Sequence, residues 1–181
     1  MELTITDTTE NMAYWLGKSY LNDETRSLLN DVDVMIVPEE EFRDYEIPLF
    51  PSNMMSIYDL LKQHLNVEAV INDEDYQEVA LNSKVHRYGK YVVTAVVVPV
   101  FVSVMSNYIT DKLKHESPKD EINLEIVVQN KSGKAKSIKY QGSAEDFKKV
   151  ADQVKALAEE DNEHRTDTAR TAAKGQPKGV H

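Results

Sequence analysis

The chain has 181 residues, of which 41% are hydrophobic, enough for one domain with its own core. It has no cysteine, which excludes disulfides, thiolate metal sites and cysteine nucleophiles. Residues 1–89 hold 18 acidic and 6 basic residues, so we expect no nucleic-acid partner there. This acidic surface either keeps the protein soluble or faces a basic partner.

The first residues, MELTITDTTENM, lack the basic and apolar regions of a signal peptide, so we expect a cytoplasmic protein. Alternation over residues 2–6 predicts a short strand. Apolar spacing then predicts a helix through Trp15, the one tryptophan, which we expect in the core or at an interface. A short helix over Asp23–Leu29 follows, with Asn22 as its cap.

Residues 32–37 read VDVMIV and predict a strand that ends at Pro38. Three prolines then favour an extended loop up to residue 51. We expect Phe42, Tyr45, Leu49 and Phe50 to fix the loop against the core. The aromatic residues Phe42, Tyr45 and Phe50, together with Trp15, are also candidates for contact with a partner.

Ser52 or Asn53 is predicted to cap a helix that runs to about Leu65, because the apolar residues that follow recur at helical spacing. Strands are predicted at 67–71 and 76–81, joined by an acidic turn at 72–75. Gly89 predicts a break before the next segment.

The longest apolar segment, residues 91–109, reads YVVTAVVVPVFVSVMSNYI. Our first interpretation is a buried helix over 91–114 that forms the centre of the domain. The second is a membrane-inserted helix, since nineteen residues span roughly 28 Å. The third is a strand up to Val98, broken by Pro99, followed by a helix from Val100, because Val and Thr suit a sheet.

Strict alternation over 122–129, the turn NKSGK and a return strand over 135–140 predict a β-hairpin. Ser143 and Asp146 form a capping box, and a helix with an apolar stripe follows. Lysines surround this hairpin, and Lys134, Lys136 and Lys139 are candidates for contact with a partner. From residue 160 onward Val180 is the one sizeable apolar residue, so we expect 160–181 to be disordered.

No phosphate-binding loop, HExxH or GxSxG pattern occurs in the chain, so we predict no enzyme, no cofactor and no metal. One alternative is a metal-dependent hydrolase that uses Asp33, Glu39 and Asp73, because carboxylates are the ligands that Mg²⁺ prefers. Adjacent carboxylates on a strand point to opposite faces, and this weakens the alternative.

Two passages carry a resemblance. VDVMIVPEEEFRDYEIPLFP, DEDYQEVALNS and VVTAVVVPVFVSVMSNYITDKL together resemble small uncharacterised bacterial proteins associated with anti-phage defence loci. INLEIVVQNKSGKAKSIKYQGSAEDFKKV is similar to modules attached to bacterial effector proteins. The resemblance covers residues 30–155 and implies an accessory or partner-binding role, without any site residue.

We therefore predict an α+β protein: a small mixed sheet, a buried central apolar helix and a C-terminal β-hairpin followed by a helix. Residues 1–159 form one domain, with 1–89 and 90–159 as candidate sub-units. The expected function is a non-catalytic interaction or regulatory subunit of a larger bacterial assembly. A membrane-associated effector that inserts residues 91–109 is the main alternative, and a homo-oligomer is compatible with the sequence.

Overall fold

The structure is a computed structural model that describes residues 1–43, 45–80, 85–116 and 120–173. The elements in chain order are β1 (Glu2–Thr8), α1 (Met12–Leu16), α2 (Asp23–Leu29), β2 (Val34–Val37), β3 (Phe50–Pro51), α3 (Met54–Lys62), β4 (Val67–Ala69), β5 (Glu78–Val79), β6 (Val85–Thr94), α4 (Val98–Glu116), β7 (Glu121–Gln129), β8 (Ala135–Gly142) and α5 (Ala144–Ala173). Short 3-10 turns at Asp73–Asp75 and Ala95–Val97 precede β5 and α4.

Six strands form one mixed sheet in the order β1-β8-β7-β6-β2-β4, and β3 and β5 form a separate parallel pair. The pairs β6–β7 and β2–β4 are parallel, and the other neighbours are antiparallel. The predicted α+β class and the C-terminal hairpin and helix are confirmed. The two candidate sub-units contribute to one sheet, and the border between them at residue 89 lies inside β6.

The apolar segment at 91–109 is divided between a strand and a helix. Its first part, up to Thr94, belongs to β6, which lies between β2 and β7 in the sheet. Our first interpretation, a helix from residue 91, is therefore wrong for 91–94, and the strand-then-helix alternative is nearer. β-Branched residues favour a strand with a neighbour on each side. Pro99 is the second residue of α4, where its missing N–H costs no helical hydrogen bond.

The sequence predicts that Gly89 ends one element before the apolar segment begins. In the structure Gly89 instead lies within β6, and the strand continues through it. Its φ is +84°, and the register with β7 shifts between Arg87 and Lys90. Glycine adopts this left-handed conformation without steric cost, so it accommodates a bulge inside a long strand. The strand continues past the bulge into the apolar segment.

Helices cover both faces of the sheet. Alternate residues of the central strands point to opposite faces, so Val93 packs in one core cluster and Val92 in the other. The larger cluster contains residues of α3, α4 and α5, and the smaller contains Trp15 of α1 and Leu29 of α2. The fully buried residues of α4 recur at helical spacing: Val98, Phe101, Val102, Met105 and Ile109.

Helix α5 extends further than the sequence predicts. Its buried stripe contains Phe147, Val150 and Val154, as expected, but the helix continues to Ala173 rather than becoming disordered at residue 160. Residues such as alanine, glutamate and arginine form helical hydrogen bonds locally and need no apolar contact to do so. The remainder of the predicted tail, 174–181, lies outside the described residues.

Candidate functional site

A groove of about 440 Å³ lies at the end of the main sheet, beside β4. Helices α2 and α3 form its two walls, and the 3-10 turn at Asp73–Asp75 closes one end. The residues that line it are Asn22, Glu24, Thr25, Leu28, Leu29, Ile36, Met54, Met55, Tyr58, Glu68, Ala69, Ile71, Asp73, Glu74 and Tyr76. Its size falls within the usual range for pockets that bind ligands or peptide anchors.

Asn22 fixes the start of the α2 wall. Its side-chain oxygen accepts a 2.8 Å hydrogen bond from the backbone N–H of Thr25, as the predicted cap requires. Asp23 and Glu24 occupy the first turn, where negative charge interacts favourably with the helix dipole. Glu24 therefore lines the groove without destabilising the helix on which it lies.

The α3 wall is capped from another element. Asn53 has φ +72° and forms no side-chain cap, so the predicted capping by this residue is wrong. Glu78 of β5 instead accepts hydrogen bonds from the backbone N–H groups of Asn53 and Met55, at 3.2 and 3.0 Å. The hydroxyl of Tyr76 also donates to Glu78, at 2.7 Å. Burial, followed by this carboxylate, raises the pKa of Tyr76 above its ordinary value.

Two pairs of adjacent apolar residues supply the apolar surface of the groove. Leu28 and Leu29 are 57% and 1% exposed on α2, and Met55 and Met54 are 48% and 1% exposed on α3. Adjacent residues on a helix point about 100° apart, so only one member of each pair reaches the core. The other member remains exposed on the wall of the groove.

Carboxylates surround this apolar surface. Glu24, Asp73 and Glu74 are exposed, and within the described part of the chain none of the three forms an ion pair. Glu68 is the exception, because Lys62 lies 3.1 Å from it. A neighbouring concavity of about 550 Å³ adds the acidic residues Glu41, Glu46 and Asp75, whereas its Glu40 pairs with Lys18 at 2.6 Å. This end of the molecule therefore carries an excess of negative charge.

Trp15 and Phe50, two of the predicted contact residues, are core residues. Trp15 is buried beneath the ammonium groups of Lys18 and Lys90, which lie 4.8 and 5.6 Å from its ring centroid. Phe50 is fully buried and stacks on Tyr76 at 4.9 Å. In this structure neither ring offers a surface to a partner.

Phe42 and Tyr45 lie on the loop between β2 and β3. Phe42 is half-buried between the guanidinium groups of Arg43 and Arg87, at 5.2 and 5.4 Å from its ring. Tyr45 is exposed. Neither residue lines the groove beside β4.

The structure does not bring the predicted lysines together. Lys134 lies in the hairpin turn, and Lys136 and Lys139 lie on β8, three positions apart and so on opposite faces. Lys139 is 3.8 Å from Glu125. The hairpin and the groove are at different ends of the sheet, since β8 neighbours β1 whereas the groove adjoins β4.

The three carboxylates of the hydrolase alternative also lie apart. Asp33 precedes β2 and accepts a hydrogen bond from the backbone N–H of Asn66, whereas Glu39 follows β2 and pairs with Arg87 at 2.9 Å. Asp33 and Glu39 are six positions apart along extended chain, which places them roughly 20 Å from each other. Asp73 lines the groove. Within residues 1–43, 45–80, 85–116 and 120–173, no group of three or more histidines or carboxylates lies close enough together to hold a metal ion.

One helix in the described chain is long and apolar enough to cross a membrane. The window Ala95–Lys114 has a mean hydropathy of 1.2, and a third of it is buried within the protein. The core helix of a soluble protein has the same length and composition. The buried stripe of α4 faces the sheet, and Val96 and Val100 are exposed.

Comparison of the chain with protein-family models, with curated proteins and with solved structures gave no match.

Proposed function

We propose that this protein is a non-catalytic interaction subunit of a larger bacterial assembly, which contacts its partner through the groove beside β4. The observation that carries the proposal is the pair of exposed apolar side chains, Leu28 and Met55, on facing walls of one concave surface. Apolar residues that are exposed in a depression and rimmed by charge are typical of protein contacts. The resemblance to proteins of anti-phage defence loci suggests the setting, and we propose a cytoplasmic location.

The two alternatives require changes that the interaction role does not. Insertion of residues 91–109 into a bilayer would separate the strand pairs of β6 with β2 and β7, and would expose the buried stripe of α4. A metal site built on Asp33 and Glu39 would require the two ends of β2 to meet. The groove needs no rearrangement to receive a partner.

The test is affinity capture from an extract of the native host with the wild-type protein and two double variants. The first variant, Leu28→Ser with Met55→Ser, makes the two exposed apolar residues of the groove polar. Val96→Ser with Val100→Ser is the matched control, because these residues are similarly exposed, at 67% and 44%, on the 3-10 turn before α4 and on α4 itself. We expect a partner that binds wild type and the control in stoichiometric amount and is lost with the groove variant. Equal capture by the groove variant would refute the proposal.

A further inference from the structure

β4 has one free edge. Within the described chain it is the last strand of the sheet and pairs only with β2. The backbone N–H of Val70 donates to the carbonyl of Ile36 at 2.8 Å. Because backbone groups alternate along a strand, those of Val67 and Ala69 point the other way, toward the groove. Ala69 indeed lines it. The carbonyl of Ala69 already accepts a 2.9 Å hydrogen bond from the backbone N–H of Ile71. Within the described chain, the edge that the groove offers between the two helices therefore consists of the N–H and carbonyl of Val67 and the N–H of Ala69.

The two walls determine which side chains would suit an added strand. Side chains of a strand alternate between its two faces. One set would face Leu28 and Leu29 on α2, and the other set would face Met54 and Met55 on α3. Each wall presents an apolar pair, so the centre of the strand would carry apolar residues at successive positions rather than at alternate ones.

The carboxylates around the groove determine which charge a bound segment would carry. Glu24, Asp73 and Glu74 carry negative charges that no described cation neutralises, so basic residues on either side of the apolar centre would meet them. A second copy of this chain would bring a second set of the same carboxylates to the same place. Repulsion between like charges thus disfavours a symmetric pair of β4 edges.

We infer that the groove binds an extended basic peptide segment of a partner protein, which adds to β4 as a further strand. This inference rests on the proposed function and specifies the partner's chemistry. Backbone hydrogen bonds to Val67 and Ala69 hold the segment, apolar contacts with the two walls anchor it, and the carboxylates select basic flanks.

The first test is fluorescence anisotropy with a labelled synthetic peptide, Lys-Arg-Val-Ile-Val-Arg-Lys, and its acidic counterpart, Glu-Asp-Val-Ile-Val-Asp-Glu. We expect saturable binding of the basic peptide alone. The double variant Glu24→Lys with Glu74→Lys should bind the basic peptide with an affinity about tenfold lower, or lower still. Glu2→Lys with Asp152→Lys makes the same charge change on exposed residues of β1 and α5 and should weaken binding far less. Equal loss in both variants would overturn the inference.

The second test is amide hydrogen exchange measured residue by residue with and without the basic peptide. Exchange at Val67 and Ala69 should slow on binding, whereas Val70, which already bonds to β2, should change little. Binding without protection at Val67 and Ala69 would overturn strand addition.

The two proposals fail differently. If the basic peptide does not bind, yet capture of the host partner still requires Leu28 and Met55, the inference falls and the proposed function stands. If sedimentation shows a dimer that the Leu28→Ser and Met55→Ser changes dissociate, a second copy occupies the groove and the inference is overturned. If capture does not depend on the groove at all, the proposed function falls as well.

Discussion

The side-chain oxygen of Asn72 accepts a 2.9 Å hydrogen bond from the backbone N–H of Asn22, the residue that caps α2. The same oxygen accepts from the hydroxyl of Thr25 at 3.1 Å. The amide group of Asn72 donates to the carbonyl of Tyr20 at 2.7 Å and to Asp75 at 2.8 Å. One buried side chain thus joins the closed end of the groove to the start of its α2 wall.

Replacing this side chain should destabilise the protein. Asn72→Ala leaves the backbone groups of Asn22 and Tyr20 without partners, so we expect the free energy of unfolding to fall by about 2–3 kcal/mol. Urea denaturation measures it. The control is Asn107→Ala, an exposed position on α4, which should change stability by no more than about 0.5 kcal/mol. Equal effects of the two substitutions would contradict the role given to Asn72.

Substitutions at two neighbouring residues test whether α4 is packed in the core of the protein or inserted in a membrane. Phe101 is fully buried and Val100 is exposed, so Phe101→Asp should cost at least about 3 kcal/mol and unfold much of the protein. Val100→Asp should cost less than about 0.5 kcal/mol. Melting curves measure both.

Flotation with liposomes completes this test. A core helix predicts that wild type and Val100→Asp both stay with the soluble fraction. Wild type that floats with the lipid, and Val100→Asp that does not, would instead support the membrane-associated alternative.

Buried tyrosines should make the protein sensitive to alkali. Burial raises the pKa of Tyr140 to about 12, above its ordinary 10.0, and also raises the pKa of Tyr20, Tyr76 and Tyr91. Above about pH 10 a tyrosine in the unfolded chain loses its proton while the folded one keeps it, so the unfolded state binds fewer protons and stability falls as the pH rises.

Urea unfolding across this alkaline range should therefore show a declining free energy of unfolding, and Tyr140→Phe should decline less steeply. Tyr45→Phe, at an exposed ring, is the control and should follow wild type. Stability that remains level up to about pH 12 would refute the expectation.

Alanine substitutions at two glycines with the same backbone conformation distinguish the cost of backbone strain from the cost of a steric clash. Gly89 and Gly133 both have φ +84°, so alanine at either position should cost about 1–3 kcal/mol. A Cβ at Gly89 would also lie 2.4 Å from Met54 Cε, whereas one at Gly133 would have Asn11 at 4.0 Å as its nearest contact. Gly89→Ala should therefore be the more damaging in urea denaturation. If Gly133→Ala lowers the free energy of unfolding by the same amount as Gly89→Ala, the clash with Met54 has no measurable effect on stability.

The sequence predicts elements whose pattern is local. Alternation in β7 and β8 and the three- and four-residue spacing in α5 reflect a single buried face, and each appears as predicted. The adjacent pairs Leu28–Leu29 and Met54–Met55 are also visible in the sequence, and are the signal that could have indicated the groove. Trp15 and Phe50 drew attention as large aromatics, but large aromatics more often fill a core than meet a partner.

The sequence by itself determined the α+β composition, the hairpin with its covering helix, the absence of thiol chemistry and the acidic first half. Only the tertiary structure decided that Tyr91–Thr94 is a strand, because a β-branched apolar run suits either state until neighbours on both sides supply its hydrogen bonds. Only the tertiary structure formed the groove: α3 and β4 follow each other in the chain, but α2 meets them only because β4 pairs with β2 in the sheet. Which member of each apolar pair faces the core depends on the orientation of its helix against the sheet, which no local pattern specifies.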